Sequence, residues 1–98
     1  MKVDYSRSFK KAIQKLSDKD RDIVAKVIVS VKNADSLQNI HNCKKLSGFN
    51  NAYRIRIGNY RLFFIFVIIE DVVYFQYLLH RGEAYNKRYL DNLRDLDK

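Results

Sequence analysis

Tyr53-Arg54-Ile55-Arg56-Ile57-Gly58-Asn59-Tyr60-Arg61-Leu62-Phe63 reads as a β-hairpin. Two runs that alternate apolar and basic residues flank a Gly-Asn dipeptide, and both of its residues tolerate the positive φ of a two-residue loop. Such a loop pairs Ile57 with Tyr60, Arg56 with Arg61, Ile55 with Leu62 and Arg54 with Phe63. Opposed residues share a sheet face, so Ile55, Ile57, Tyr60, Leu62 and Phe64 form a core face while Arg54, Arg56 and Arg61 gather on the other. Like charges opposed across a sheet cost up to about 1 kcal/mol, so Arg56 facing Arg61 requires an anion over both. No Asp or Glu occurs from Ser36 through Ile69, a window that also holds Lys44 and Lys45. The neutralising charge must come from a distant segment, a partner or a ligand.

Upstream, Lys2 to Tyr5 alternates as a short strand, and Ser6 and Ser8 are candidate caps for a helix running to about Ser17. Its buried stripe is Phe9, Ala12, Ile13 and Leu16. Ser17 or Asp18 caps a second helix, in which Ile23, Val24, Val27, Ile28 and Val31 repeat the stripe up to about Ala34. The polar stretch Ser36–Asn42 leads into a short strand at Lys44-Lys45-Leu46, ending at Gly48. An antiparallel meander follows: Ala52–Ile57, Tyr60–Ile68 and Val72–His80. A two-residue Glu70-Asp71 loop pairs Ile69 with Val72 and brings His80 opposite Arg61; one extra loop residue puts Arg81 on the arginine face instead. Glu83–Leu96 reads as a terminal helix with a Tyr85, Tyr89, Leu93, Leu96 stripe, leaving Asp91, Asp95 and Lys98 outside it. The order is β-α-α-β-β-β-β-α, an α+β fold in one domain over residues 1–98.

Ninety-eight residues bury a single core. Nineteen Lys and Arg against eleven Asp and Glu leave a net charge of +8, which suits nucleic acid or an acidic protein partner. No stretch approaches the ~18 apolar residues of a spanning helix, and the N-terminus carries no apolar signal region. With the lone Cys43 unable to form an internal disulfide, the expected compartment is the reducing cytoplasm, without membrane attachment.

Two histidines, one cysteine and scattered carboxylates have no metal-ligand spacing, so no metal and no cofactor is expected. No serine sits in a glycine-flanked elbow, and no glycine-rich phosphate loop is present. What remains is a basic sheet face with Arg54, Arg56, Arg61, His80, Arg81 and Tyr85, a set suited to phosphodiesters. RNA cleavage by its own 2′-hydroxyl requires a base for that hydroxyl, positive charge on the phosphorane and an acid for the departing 5′-oxygen. Forked guanidinium donors supply the second. Arginine holds its proton too tightly to be a good base, which leaves His80 and Tyr85 to move protons; Tyr85 also suits stacking on a base.

Lys45-Leu46-Ser47-Gly48, the Tyr53–Arg61 segment, His80-Arg81 and Tyr85 together closely resemble the RelE/ParE superfamily of toxin–antitoxin toxins. The resemblance spans nearly the whole chain and implies that family's compact, microbial-RNase-type fold. In the RelE branch it implies a ribosome-dependent endoribonuclease that cuts mRNA and arrests translation. In the ParE branch it implies a DNA gyrase inhibitor without chemistry of its own; a degenerate RNA- or antitoxin-binding module is the third alternative. The resemblance assigns Arg61 and Arg81 to the transition state and Tyr85 to the tyrosine four residues after the second arginine. Arg54 and Arg56 stand where the RelE branch often has lysines, which moves the proton-acceptor task toward His80 or Tyr85. Retention of Tyr85 favours the RelE branch. Lys44, Lys45, Arg54 and Arg56 are the expected RNA contacts. The implied partners are an acidic cognate antitoxin, the ribosome with mRNA, and operator DNA only through the antitoxin complex.

Overall fold

The computed structural model describes residues 1–97; Lys98, assigned above to the polar side of the last helix, lies outside them. Strand β1 (Lys2–Tyr5) leads into helices α1 (Arg7–Gln14) and α2 (Asp18–Asn33), and then come β2 (Cys43–Lys45), β3 (Ala52–Ile57), β4 (Tyr60–Val67), β5 (Val72–His80) and α3 (Lys87–Leu96). The five strands lie in the order β1-β5-β4-β3-β2. All neighbours are antiparallel except β1, which pairs parallel to β5.

Local chemistry starts and stops the helices. Ser6 caps α1, its Oγ accepting from the Phe9 N–H at 3.0 Å, and the Ser17 Oγ accepts from the Asp20 N–H at 3.2 Å at the start of α2. The last carbonyls of α2 have no partners within the helix. The N-terminal ammonium supplies one, donating to the Lys32 carbonyl at 2.7 Å and also to that of Ala34, and its charge complements the negative end of the helix. That contact ties β1 to the end of α2.

Both sheet faces are covered. On one, Phe9, Val24, Ile28 and Val31 from the helices meet Ile55, Ile57, Leu62, Phe64, Val73, Phe75 and Leu78. Phe75 is fully buried, with its ring 5.2 Å from Phe9 and 6.1 Å from Phe64; burying a side chain of that size contributes about 2–3 kcal/mol. On the other, α3 lays Leu93 over Phe63, Ile65, Ala52, Leu46 and Phe49. The uninterrupted apolar run Leu62–Val67 is the signal of a strand buried on both sides.

Several expected boundaries move. Helix α1 stops at Gln14, and β2 covers Cys43–Lys45 rather than residues 44–48. Ile23 on the α2 stripe stays 41% exposed. The last loop is four residues long, because Val67 pairs with Val72. Glu70-Asp71 contains no glycine to share the two positive-φ positions of a two-residue type I′ loop; the longer loop needs one, and Asp71 takes it at φ 55°. Helix α3 begins at Lys87, not Glu83. Asn86 caps it by accepting from the Arg88 N–H at 2.9 Å, while residues 81–85 form turns that begin with Glu83 N–H to the His80 carbonyl at 2.8 Å. Tyr85 therefore stands outside the helix, and of the expected stripe only Leu93 is buried; Leu96 is 49% exposed.

Candidate functional site

The Gly58-Asn59 hairpin has the expected register: Ile57 with Tyr60, Arg56 with Arg61, Ile55 with Leu62, Arg54 with Phe63. Gly58 takes φ 56°, the left-handed region the turn demands. Arg54, Arg56 and Arg61 share a face, and β2 adds Lys44, which pairs with Arg54. Lys45 pairs with Tyr53 and is carried to the opposite face, so it stands apart from the other expected RNA contacts.

His80 departs from the expected placement. It pairs with Tyr60, and Leu79 pairs with Arg61. The cause is a bulge: the register passes from Phe64 with Phe75 to Phe63 with Tyr77, leaving Gln76 as the extra residue. Lengthening the loop from two residues to four keeps the parity of facing, whereas one bulged residue reverses it. Ser6 holds the bulge open, its Oγ donating to the Gln76 carbonyl at 2.6 Å while its N–H donates to the Phe75 carbonyl at 2.9 Å. His80 thus lies on the helix-facing side, its ring edge-on to Tyr60 with centroids 6.0 Å apart. Just past the end of β5 the Arg81 N–H donates to the Asn59 carbonyl at 2.7 Å, which places Arg81 against the hairpin turn that also holds Arg61.

The arginine face has two halves. Toward α3 it is apolar, and toward the hairpin turn it is basic. Tyr85 stands at the junction, its ring edge-on to Phe63 with centroids 5.9 Å apart and its side chain open to solvent. The Arg61 Nη1 donates to the Gly58 and Tyr60 carbonyls, both at 2.9 Å, which holds the guanidinium against the turn and leaves its other N–H groups free. Among the described residues the ion pairs are Arg21 with Asp18 and Lys26 with Asp22, both within α2. Among the described residues no carboxylate pairs with the sheet arginines. The distant acidic residue that does reach this side, Asp97, accepts instead from the Asn50 and Asn51 N–H groups. That role was invisible in the sequence, since a carboxylate one residue past a helix carries no pattern.

Among the described residues no group of three or more His, Cys, Asp or Glu side chains is placed to hold a metal, and no helix is long and apolar enough to cross a membrane. Cys43 is half-buried on the helix-facing side of β2. Burial pushes its thiol up to about 11, against a weaker opposite pull from the Arg54 charge. Raising the pKa by this much cuts the thiolate fraction near pH 8 roughly a hundredfold, so alkylation by iodoacetamide is expected to be slower than for an unfolded control by about that factor. Equal rates in a stopped-flow or mass-spectrometric time course would contradict the burial.

No protein-family model matches the chain. Toxin RelE3 of Methanocaldococcus jannaschii is 32% identical over 87 residues, covering 88% of this chain and 97% of that protein. The chain belongs to the RelE family of toxins. A crystal structure of a RelB–RelE antitoxin–toxin complex from Methanococcus jannaschii superposes with a TM-score of 0.74 at 29% identity, over 87% of this chain and 98% of that one. The isolated Escherichia coli RelE toxin shares the fold over 97% of both chains with a TM-score of 0.66, at 18% identity. RelE membership agrees with the α+β order read from the residues, including the helices that precede the mainly antiparallel sheet.

Proposed function

We propose that this RelE-family toxin is an endoribonuclease that cuts mRNA on the ribosome and arrests translation. The observation that carries the proposal is the cluster of Arg54, Arg56 and Arg61 on one sheet face, with Arg81 at the adjoining turn and, among the described residues, no carboxylate paired with any of them. A phosphodiester in the act of cleavage is the anion that such a cluster fits.

In this reading Arg61 and Arg81 hold the non-bridging oxygens of the phosphate, and their charge opposes the negative charge that builds up in the phosphorane. Arg54 and Arg56 draw the 2′-hydroxyl toward phosphorus. As its oxygen forms the new P–O bond, its proton passes to water. The P–O5′ bond breaks, and the Tyr85 phenol gives its proton to the departing 5′-oxygen, leaving a 2′,3′-cyclic phosphate and a 5′-hydroxyl. A phenol is a competent acid toward a departing alkoxide. Tyr85 suits the task because it is solvent-accessible and beside Phe63 on the arginine side. His80, on the other side of the sheet, takes no proton in this scheme.

The net charge of +8 and the uncompensated arginines also suit an acidic antitoxin that covers this face and reaches operator DNA as a complex. The test is induction of the toxin alone followed by primer extension on abundant transcripts. New 5′-ends inside translated codons, suppressed when translation is blocked beforehand, are the expected result. Arrested growth with intact transcripts and blocked DNA supercoiling would overturn the nuclease in favour of a gyrase-directed inhibitor.

A further inference from the structure

At the end of the sheet away from the hairpin turn, a cavity of about 500 Å³ opens on the helix-facing side, between the linker that follows α2, strand β2 and the β4–β5 loop. Its volume falls within the range of about 300–1,000 Å³ typical of small-molecule sites. Tyr53, Phe66 and Leu37 give it apolar walls, and Asp35, Asp71 and Lys45 bring charge to its exposed rim. The Tyr53 ring is held flat against Phe64, with centroids 5.3 Å apart and planes 12° from parallel. Lys45, which the sheet turns away from the arginine cluster, has no part in the chemistry above.

We propose that this cavity binds a free basic α-amino acid of the arginine type. The charges on its rim decide the class. Other carboxylates of the chain are already engaged: Asp18 and Asp22 pair within α2, Asp20 accepts from the Tyr60 hydroxyl at 3.3 Å, and Asp97 accepts from two backbone N–H groups. Among the described residues neither Asp35, Asp71 nor Lys45 belongs to an ion pair. Two carboxylates from different segments call for two cationic groups, and the lysine calls for one anion. A basic amino acid carries that complement in its α-ammonium, its side-chain cation and its α-carboxylate. The N-terminal ammonium, also at the cavity, is spent on the Lys32 and Ala34 carbonyls and does not alter the count. The aromatic walls favour a guanidinium over an ammonium, because the guanidinium is planar, weakly hydrated and stacks on rings. A polyamine supplies the cations but leaves Lys45 unanswered, and a neutral amino acid leaves one carboxylate unanswered. A chain of net charge +8 repels cations in general, so a cation held here is held by the local charges.

The site is built before any ligand arrives. Asp71 sits at φ 55°, with its N–H donating to the Ile68 carbonyl at 3.2 Å and its carbonyl accepting from the Lys2 N–H at 3.3 Å. Lys45 is fixed opposite Tyr53 by the β2–β3 ladder. Leu37 opens a short 3-10 turn, closed by the Ile40 N–H donating to its carbonyl at 3.2 Å, and the buried Ile40 anchors that turn in the core. Walls and charges set in this way lower the ordering cost of binding.

The test is isothermal titration calorimetry of the full chain with L-arginine, L-citrulline and agmatine. Citrulline replaces the guanidinium by a neutral urea of nearly the same shape, and agmatine lacks the carboxylate. L-arginine is expected to saturate the chain, with citrulline and agmatine each about tenfold weaker, the size of one lost charge-assisted contact. Lys45→Gln is expected to weaken L-arginine about tenfold and to leave agmatine unchanged. Asp71→Asn keeps a residue that tolerates the left-handed backbone and is expected to weaken L-arginine about tenfold, as is Asp35→Asn in the exposed linker; an unchanged urea midpoint reports an intact fold in each. No saturable binding of L-arginine, equal affinity for citrulline, or agmatine binding as tightly as L-arginine would overturn the site. So would wild-type affinity in both Asp→Asn variants. None of these readouts involves RNA, so the site and the nuclease reading stand or fall separately.

Discussion

Arg61→Ala is expected to slow the cutting of ribosome-bound mRNA by two to three orders of magnitude, and Arg81→Ala by a similar factor. The size follows from the loss of about 3–4 kcal/mol of charge stabilisation that exists mainly in the transition state. The two arginines reach their places differently, which makes the pair informative. Arg61 is pinned by side-chain hydrogen bonds to the Gly58 and Tyr60 carbonyls, whereas Arg81 is positioned through its backbone N–H to Asn59. Removing the Arg61 side chain leaves one exposed and one part-buried turn carbonyl that water can serve, so the fold is expected to survive. Arg61→Lys retains the charge but loses the fork that bridges turn and phosphate, so it should recover only part of the rate. Single-turnover cutting on programmed ribosomes measures all three variants. Wild-type rates in either alanine variant would remove that residue from the chemistry. If both arginines hold one phosphate, the double variant will lose less than the sum of the two single losses.

The second large effect is on stability. Asp97, 8% exposed at the end of α3, accepts from the Asn50 and Asn51 N–H groups. One turn earlier, Arg94 donates to the Gly48 carbonyl at 3.1 Å and lies 4.4 Å over the Phe49 ring. Together they clamp α3 to the loop between β2 and β3, which keeps Leu93 on Phe63 and Ile65 and covers the apolar half of the arginine face. Asp97→Ala removes two charge-assisted hydrogen bonds and strands two partly buried N–H groups, an expected loss of about 4 kcal/mol. Domains of this size are stable by about 5–15 kcal/mol in total, so the urea midpoint should fall markedly. Amide exchange at residues 48–51 should speed up with it. A midpoint unchanged from wild type would show that α3 is held by its apolar contacts alone.

How far the residues foretold the molecule can be judged strand by strand. The β3–β4 hairpin was legible to the residue, because a Gly-Asn loop admits one register and alternation then assigns every side chain. The stripes of α1 and α2 were legible for the same local reason, Leu16 beyond the end of α1 and the exposed Ile23 apart, and Ser6 and Ser17 stood among the candidate caps. The β4–β5 pairing was not. Its loop has no glycine to declare its length, and the bulge at Gln76 depends on a carbonyl captured by Ser6, seventy residues away in the chain. The start of α3 was not legible either, because Asn86, a strong cap, competes with the acidic Glu83, which also suits a first turn.

The chemistry of the candidate site divides along the same line. That three guanidiniums share a face, that the face lacks nearby carboxylates, and that the chain is basic enough to seek an anionic partner are consequences of alternation and composition, which act between chain neighbours and survive any arrangement of the rest. Which flank of the sheet His80 occupies, which carboxylate clamps α3 and where Tyr60 meets Asp20 emerged only once distant segments were in contact. Side-chain facing in a sheet is a matter of parity, and a single residue accommodated by a remote hydrogen bond is enough to reverse it.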